Sequence, residues 1–313
     1  MKRFAAIDIG TNSMRLMLCE VNGSAIVKKE KELIITRIGK NVSKTSAISV
    51  RSMERNIEAL KYFKNRADKY GAEKIVAIAT SAVRDASNKE EFVKSAKSES
   101  GIDVMVIEGK EEAELGIKGV MSEIDNHEVN VLVIDVGGGS TELVLGNKDG
   151  IEYSTSINVG TVRLTEQFIK GNPISDSDIK DIKSRLMEQF SEPLQYLSSK
   201  RIDSVVAIGG TATTIGAIFR GLSIYNPDIV HNTDVNLSFV TETFNRLKDM
   251  TVKQRYEVKG LQKERADVVP AGMLILQHLL EGLKKEKVKI SENDNLEGAV
   301  VKYIICKDQA CKA

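Results

Sequence analysis

The chain has 313 residues, enough for two domains that each bury a core, and its 42% hydrophobic and 28% charged content is that of an ordinary folded protein. The formal net charge of +1 supplies no general field for holding nucleic acid, so any polyanion would have to be met by local arginines and lysines. Cys19, Cys306 and Cys311 are scattered with no C-x-x-C pair, and His127, His231 and His278 stand alone, which argues for reduced thiols and against a zinc site.

The first apolar run stops at Asp8 and reads as a strand, not a signal peptide, and no segment approaches the roughly 20 apolar residues of a membrane helix. The expected compartment is the cytosol, with neither membrane nor nucleic acid as a partner. Three strands are predicted up to the stretch Leu33–Gly39. A helix follows from about Val50, with Met53, Ile57, Leu60, Phe63 and Ala67 on one stripe and Gly71 as its stop. A strand at Lys74–Thr80, a helix around Lys89–Ser98 and a strand at Asp103–Glu108 come next. They lead to a helix with Glu111 and Glu112 in its first turn, where acids suit the macrodipole.

The second half follows the same plan. Three strands run from Asn130 to about Val159, and a helix capped by Ser175 carries Ile179, Ile182, Leu186 and Phe190 on one face. A strand at Ser204–Ile208 ends in Gly209-Gly210-Thr211 and opens a helix over Ala212–Arg220. Helices near Phe239–Asp249 and Arg265–Leu283, a strand at Lys287–Ser291 and a closing helix over Leu296–Lys307 complete the chain. A short hinge is expected near 110–125, dividing the chain into 1–120, with the closing segment 296–313 as a candidate addition to it, and 121–295.

Two stretches carry the chemistry. Val131-Leu-Val-Ile-Asp135-Val-Gly137-Gly138-Gly139-Ser140-Thr141-Glu142 runs from a buried strand through a triple glycine into a second strand. The glycines are expected at positive φ, with exposed N–H groups forming an anion-binding concavity and Asp135 at its mouth. The loop lacks the Gly-Lys-Ser/Thr of a Walker A motif, and by itself it is an ordinary hairpin. Residues Phe4–Leu18 repeat it without a gap: a shift of 127 places Asp8 on Asp135, Gly10 on Gly137 and Ser13 on Ser140. The turn Asn22-Gly23 falls on Asp149-Gly150, and Ile75–Ala82 matches Val205–Ala212 after three inserted residues. The chain is therefore two copies of one domain, an α/β pair whose loops are expected to face each other across a phosphate-binding cleft. A metal in such a site would be a hard cation on carboxylates, Mg²⁺ or Mn²⁺.

This architecture is similar to the actin-like (ribonuclease-H-like) ATPase and sugar-kinase superfold. The ordered set Asp8-Ile-Gly-Thr-Asn-Ser, Thr36-Arg-Ile-Gly39, Thr80-Ser-Ala-Val-Arg84, Gly109-Lys-Glu-Glu-Ala-Glu, Asp135–Glu142, Val159–Glu166, Gly209-Gly-Thr and Arg265–Gly272 resembles the exopolyphosphatase / guanosine pentaphosphate phosphohydrolase family in its short two-domain form. One departure stands out. Where the family reads Ser-Asp-x-Gly-Leu-Arg-Glu-Gly, this chain has Ser291-Glu-Asn-Asp294-Asn-Leu296-Glu-Gly298, losing a glycine and an arginine.

The resemblance implies release of the terminal phosphate of inorganic polyphosphate, of guanosine pentaphosphate, or of both, by metal-assisted in-line attack of water. Glu112 takes the place of the catalytic base, Asp135 and Glu142 those of the metal-side carboxylates, with Asp8 sharing the metal or water shell. Phosphate contacts fall to Gly10, Thr11, Asn12, Ser13, Arg15, Arg84, Gly137, Gly138, Gly139, Ser140, Thr141, Gly209, Gly210, Thr211 and Arg265. For Arg37 and Arg163 a surface salt bridge weighs as much as a phosphate contact. Without the resemblance, Glu112 is a solvated acid of a helix first turn. Glu111, about 100° round the helix from it, cannot face the same way and is the plain macrodipole acid. The resemblance also implies a homodimer. An ATP-dependent kinase of the same superfold and a non-catalytic nucleotide or polyphosphate sensor are the alternatives.

Overall fold

The computed structural model describes residues 1–124 and 129–306. His127, Cys311 and the last residue of the expected closing helix lie outside the described residues. The chain divides into two compact units, Met1–Ile124 joined by the segment from Asn293, and the stretch between them up to Glu292.

In the first unit, β1 (Lys2–Ile9), β2 (Met14–Asn22) and β3 (Ala25–Ile34) form an antiparallel meander, and β4 (Lys74–Ala79) and β5 (Val104–Val106) add parallel strands on the other side of β1. The order is β3-β2-β1-β4-β5. Residues of β1 alternate between two cores: Ala5, Ile7 and Ile9 face one, and Phe4 and Ala6 the other. A sheet covered on both faces explains why β1 is apolar throughout. Helices Val50–Tyr70 and Lys89–Ser100 cover the first face. Val50–Tyr70 begins at Ser49, whose side chain accepts from the Ser52 amide, and stops at Gly71, in the left-handed region at φ 77°. The second face takes helix Gly109–Met121 and helix Asn295–Val300, the latter continued by a π-helical turn, Val301–Ile305. Part of the segment expected to be a hinge is thus a packed helix of this unit.

The second unit repeats the sheet with one strand more. β6 (Val131–Val136), β7 (Thr141–Asn147) and β8 (Gly150–Ile157) make the meander. β9 (Ser204–Ile208) and β11 (Lys287–Ile290) run parallel beyond β6, and β10 (Thr233–Asn236) is an added antiparallel edge. From its far edge the order β8-β7-β6-β9-β11 repeats that of the first sheet. The fold is α/β and duplicated, as the internal repeat requires. The short helix Thr161–Phe168 and β10 had no clear sequence signal, since four polar-alternating residues make a weak strand pattern. The long helix Asp176–Ser198 starts where expected, Ser175 accepting from the Asp178 amide at 3.1 Å.

Candidate active site

The two loops are built alike down to single hydrogen bonds. The Gly10 amide donates to the Ser13 carbonyl at 3.0 Å, and the Gly137 amide to the Ser140 carbonyl at 3.0 Å. The triple glycine does not adopt positive φ; the left-handed glycines lie elsewhere. The expectation is corrected: what these turns demand is room for backbone to approach backbone. A Cβ on Gly137 would sit 3.0 Å from the Ser140 carbonyl oxygen, and one on Gly160 would sit 2.5 Å from the carbonyl of Gly138. Because the Gly10 and Gly137 amides close the turns, they do not point outward to an anion.

Each loop is buttressed by the chain that follows its third strand. In the first unit the Arg37 amide donates to the Asn12 carbonyl and the Gly39 amide to the Thr11 carbonyl, both at 2.9 Å. In the second unit the opening amides of helix Thr161–Phe168 donate into the loop, Thr161 to Gly137 and Val162 to Gly138, both at 2.9 Å. Arg163 adds a guanidinium bond to the Gly139 carbonyl at 3.0 Å, which makes it a brace of the loop. Thr141 is fully buried, and its hydroxyl donates to the Val159 carbonyl at 2.6 Å, removing it from the phosphate contacts expected of it. The Thr211 hydroxyl likewise ties the start of its helix to β6 through the Val136 carbonyl at 2.7 Å. Asn12, by contrast, is buried with its side-chain amide nitrogen unbonded, a donor that an anionic oxygen would satisfy.

At the same place in the two hairpins the charges differ. In β1 and β2, Asp8 stands directly opposite Arg15; in β6 and β7, Asp135 stands directly opposite Glu142. Arg15 binds Asp8 through two nitrogens and Asp294 through a third, so the structure holds it between two buried carboxylates rather than presenting it freely. Asp294, a residue that departs from the family pattern, caps helix Asn295–Val300 by accepting from the Leu296 amide, while the Glu297 carboxylate accepts from the Asp294 amide. Lys31 of β3 pairs with Glu297 at 2.9 Å. Burial pushes the Asp294 carboxyl up, but Arg15 and Lys31 outweigh it and hold it below its ordinary range. Leu296, where the family carries arginine, is fully buried among Phe4, Met17 and Leu115, a place with no room for a charge.

Glu112 is not a solvated acid. It lies on the buried face of helix Gly109–Met121, only 7% exposed, and its Oε2 takes a hydrogen bond from Arg84 at 3.0 Å. Burial pushes its carboxyl up to about 7, with the charge and hydrogen bond of Arg84 pulling the other way and the nearby Asp8 adding to the rise. Arg84 also donates to the Ile107 carbonyl at 2.9 Å. Asp8 itself is raised by burial, against the pull of Arg15, and its Oδ1 has no hydrogen-bond partner. Glu111 points away, to Lys302 at 2.8 Å and the Tyr303 hydroxyl at 2.6 Å. It is a gripped side chain, not the plain macrodipole acid that the sequence suggests.

In the second unit Asp135 sits at the start of helix Gly209–Phe219, where the backbone partial charge favours an anion. Gly209, at φ 78°, makes the space: a Cβ there would lie 2.5 Å from Asp135 Oδ1. Gly210 does the same for Arg265, whose guanidinium lies against it and is steadied by Gln262 at 3.0 Å. Asp135, Gly209, Gly210 and Arg265 thus form one group, and Ser140 closes the adjoining turn.

Two buried carboxylates directly opposite across a strand pair repel each other, and a cation relieves that cost. Among the described residues no group of three or more His, Cys, Asp or Glu could hold a metal, so a zinc-type cage is absent there. The donors do fit Mg²⁺ or Mn²⁺, which are held by one or two carboxylates with water and substrate oxygens completing the shell. Among the described residues no helix is long and apolar enough to cross a membrane.

The pattern of the Ppx/GppA phosphatase family matches residues 19–304. The chain is 37% identical to the bifunctional 3-dehydroquinate synthase/phosphatase of Fusobacterium nucleatum over 96% of its own length and 46% of that protein, so it spans about half of that relative. It is 31% identical to exopolyphosphatase 2 of Mycobacterium tuberculosis over 95% of this chain and 97% of that one. The solved Ppx/GppA family member of Aquifex aeolicus superposes with a TM-score of 0.79 at 30% identity, covering 98% of this chain and 99% of that one. With matches that run nearly end to end, the chain belongs to the Ppx/GppA phosphatase family.

Proposed function

We propose that this chain, a phosphate-releasing hydrolase by family, removes the terminal phosphate of inorganic polyphosphate by in-line attack of water. The observation that carries the reading is Glu112, a buried carboxylate pushed up to about 7 beside Arg84. A general base works best with an affinity for protons matched to the working pH, and a base fully ionised far below it would be a poor one. Glu112 accepts the proton of the attacking water and orients it. Phosphate oxygens are met in the first unit by Asn12 and the loop around it, and in the second by Gly209, Gly210 and Arg265. Asp135 and Glu142 would hold Mg²⁺ or Mn²⁺, which when bound neutralises charge on the phosphate oxygens.

Guanosine pentaphosphate presents the same terminal anhydride and is the second substrate of this reading. The test is phosphate release from inorganic polyphosphate and from guanosine pentaphosphate, each with Mg²⁺ and with EDTA. Release that needs the metal and is lost on Glu112→Gln is expected. No metal-dependent release from either substrate would overturn the reading.

A further inference from the structure

Helix Gly109–Met121 carries the base in its first turn, yet that turn lacks a side-chain cap: Glu108 precedes it without one. First turns leave amides without intrahelical partners and fray unless something holds them. Further along, the helix is fixed by backbone contact. A Cβ on Gly119 would collide with the Asp294 backbone, and one on Gly298 with the Leu115 carbonyl, so each segment lays its backbone against a glycine of the other. That grip runs from Leu115, about one turn beyond Glu112, to Gly119, about two turns beyond it. Among the described residues, the side chain of the first turn that is held from outside, besides Glu112, is Glu111. Its Oε1 accepts from both the Tyr303 hydroxyl at 2.6 Å and Lys302 at 2.8 Å, and Lys302 also reaches Glu114 at 2.7 Å. Both donors come from the π-helical turn Val301–Ile305, a departure from regular helix of the kind found at functional sites.

Adjacent helical side chains point about 100° apart. A turn that rolls to free Glu111 therefore carries Glu112 off Arg84, and a turn pinned at Glu111 keeps it there. We propose that Tyr303, with Lys302, is a positioning residue for the reaction: it sets the roll of this first turn and so holds the Glu112 carboxylate in place. The proposal rests on Glu112 being the base.

The experiment measures phosphate release from inorganic polyphosphate by Tyr303→Phe, Lys302→Met, Lys302→Arg and Glu112→Gln, and by Tyr303→Phe combined with Glu112→Gln. Removing one hydroxyl should lower kcat about 10-fold, short of the roughly 10²-fold that a 1 Å misplacement costs, with KM within about two-fold of wild type. Lys302→Met should lose kcat in the same manner, and Lys302→Arg should restore most of it. Because Tyr303 acts through Glu112, its loss should have no further effect in the Glu112→Gln background. Wild-type kcat in both Tyr303→Phe and Lys302→Met, a loss confined to KM, or an undiminished loss in the double variant would each overturn the proposal. Wild-type kcat in Glu112→Gln alone would instead overturn the base and, with it, the clamp.

Discussion

The two glycine loops have the same backbone and opposite electrostatics. In the first unit the cross-strand pair is Asp8 and Arg15, an acid already answered by a cation that Asp294 holds from the other side. In the second the pair is Asp135 and Glu142, two buried acids in the same register. The difference shows how a duplicated hairpin divides its work. The copy with the Asp8–Arg15 pair sits beside the base, and the copy with Asp135 and Glu142 sets two acids side by side. Glu112 gains from this division: Asp8, muted by Arg15, raises the proton affinity of Glu112 without displacing Arg84 from it.

The largest break in that comparison is removal of the base. Glu112→Gln keeps the shape and loses the proton acceptor, so kcat in the phosphate-release assay should fall roughly 10²- to 10⁴-fold. Next comes making the two hairpins electrostatically alike. Glu142→Arg copies the Asp8–Arg15 pair into the second unit, and half-saturation by Mg²⁺ should rise by at least the roughly 10- to 100-fold that even outer partners of a metal cost. A Mg²⁺ titration in which that variant behaves as wild type would show that the two acids have no part in holding the ion.

The pH dependence sharpens the comparison from the first unit's side. Glu112 works as the carboxylate, so kcat/KM should rise with pH up to about 7 and level off above it, and Glu112→Gln should lose that limb. The sign for stability runs the other way. The folded-state value lies above the unfolded one, so the contribution of Glu112 to stability is complete below its ordinary range and is lost as pH rises through about 7. Glu112→Gln should therefore raise Tm at pH 8 and change it little at pH 4.

Smaller effects test the backbone that the loops share. Gly160→Ala drives a methyl into the Gly138 carbonyl and should cost about 1–3 kcal/mol in a denaturant titration, as overpacking does. Smallest are the caps of the longest helix in each unit. Ser49→Ala and Ser175→Ala should each lower stability by about 1 kcal/mol and leave kcat alone.

Much of this was legible in one dimension. The repeat at a shift of 127 residues foretold two sheets of one order, because a strand buried on both faces is written as a continuous apolar run. Ser175 and Gly71 each marked an end of a helix, since cap chemistry is local to a few residues. The glycines were legible as special, but the reason was misread. Positive φ is a property of one residue, whereas the crowding at Gly137 and Gly160 comes from carbonyls that only the folded loop brings near. Thr141 looked like an anion ligand for the same kind of reason: its position beside the loop is sequential, and its burial is not. Asp294 and Leu296 could be flagged as departures, but that one would grip Arg15, 279 residues away, and the other fill a core with residues of the first strands was invisible.

What the sequence alone determined is therefore what short-range periodicity and repetition can encode, the strands, the caps, the duplication and the candidacy of Asp8 and Asp135, while the family resemblance singled out Glu112 and Glu142. What only the tertiary structure decided is the state of those acids. Proton affinity, pairing and burial depend on neighbours at distances of a few ångströms, and chain folding gathers those neighbours from residues as far apart as Arg15 and Asp294, or Glu111 and Tyr303.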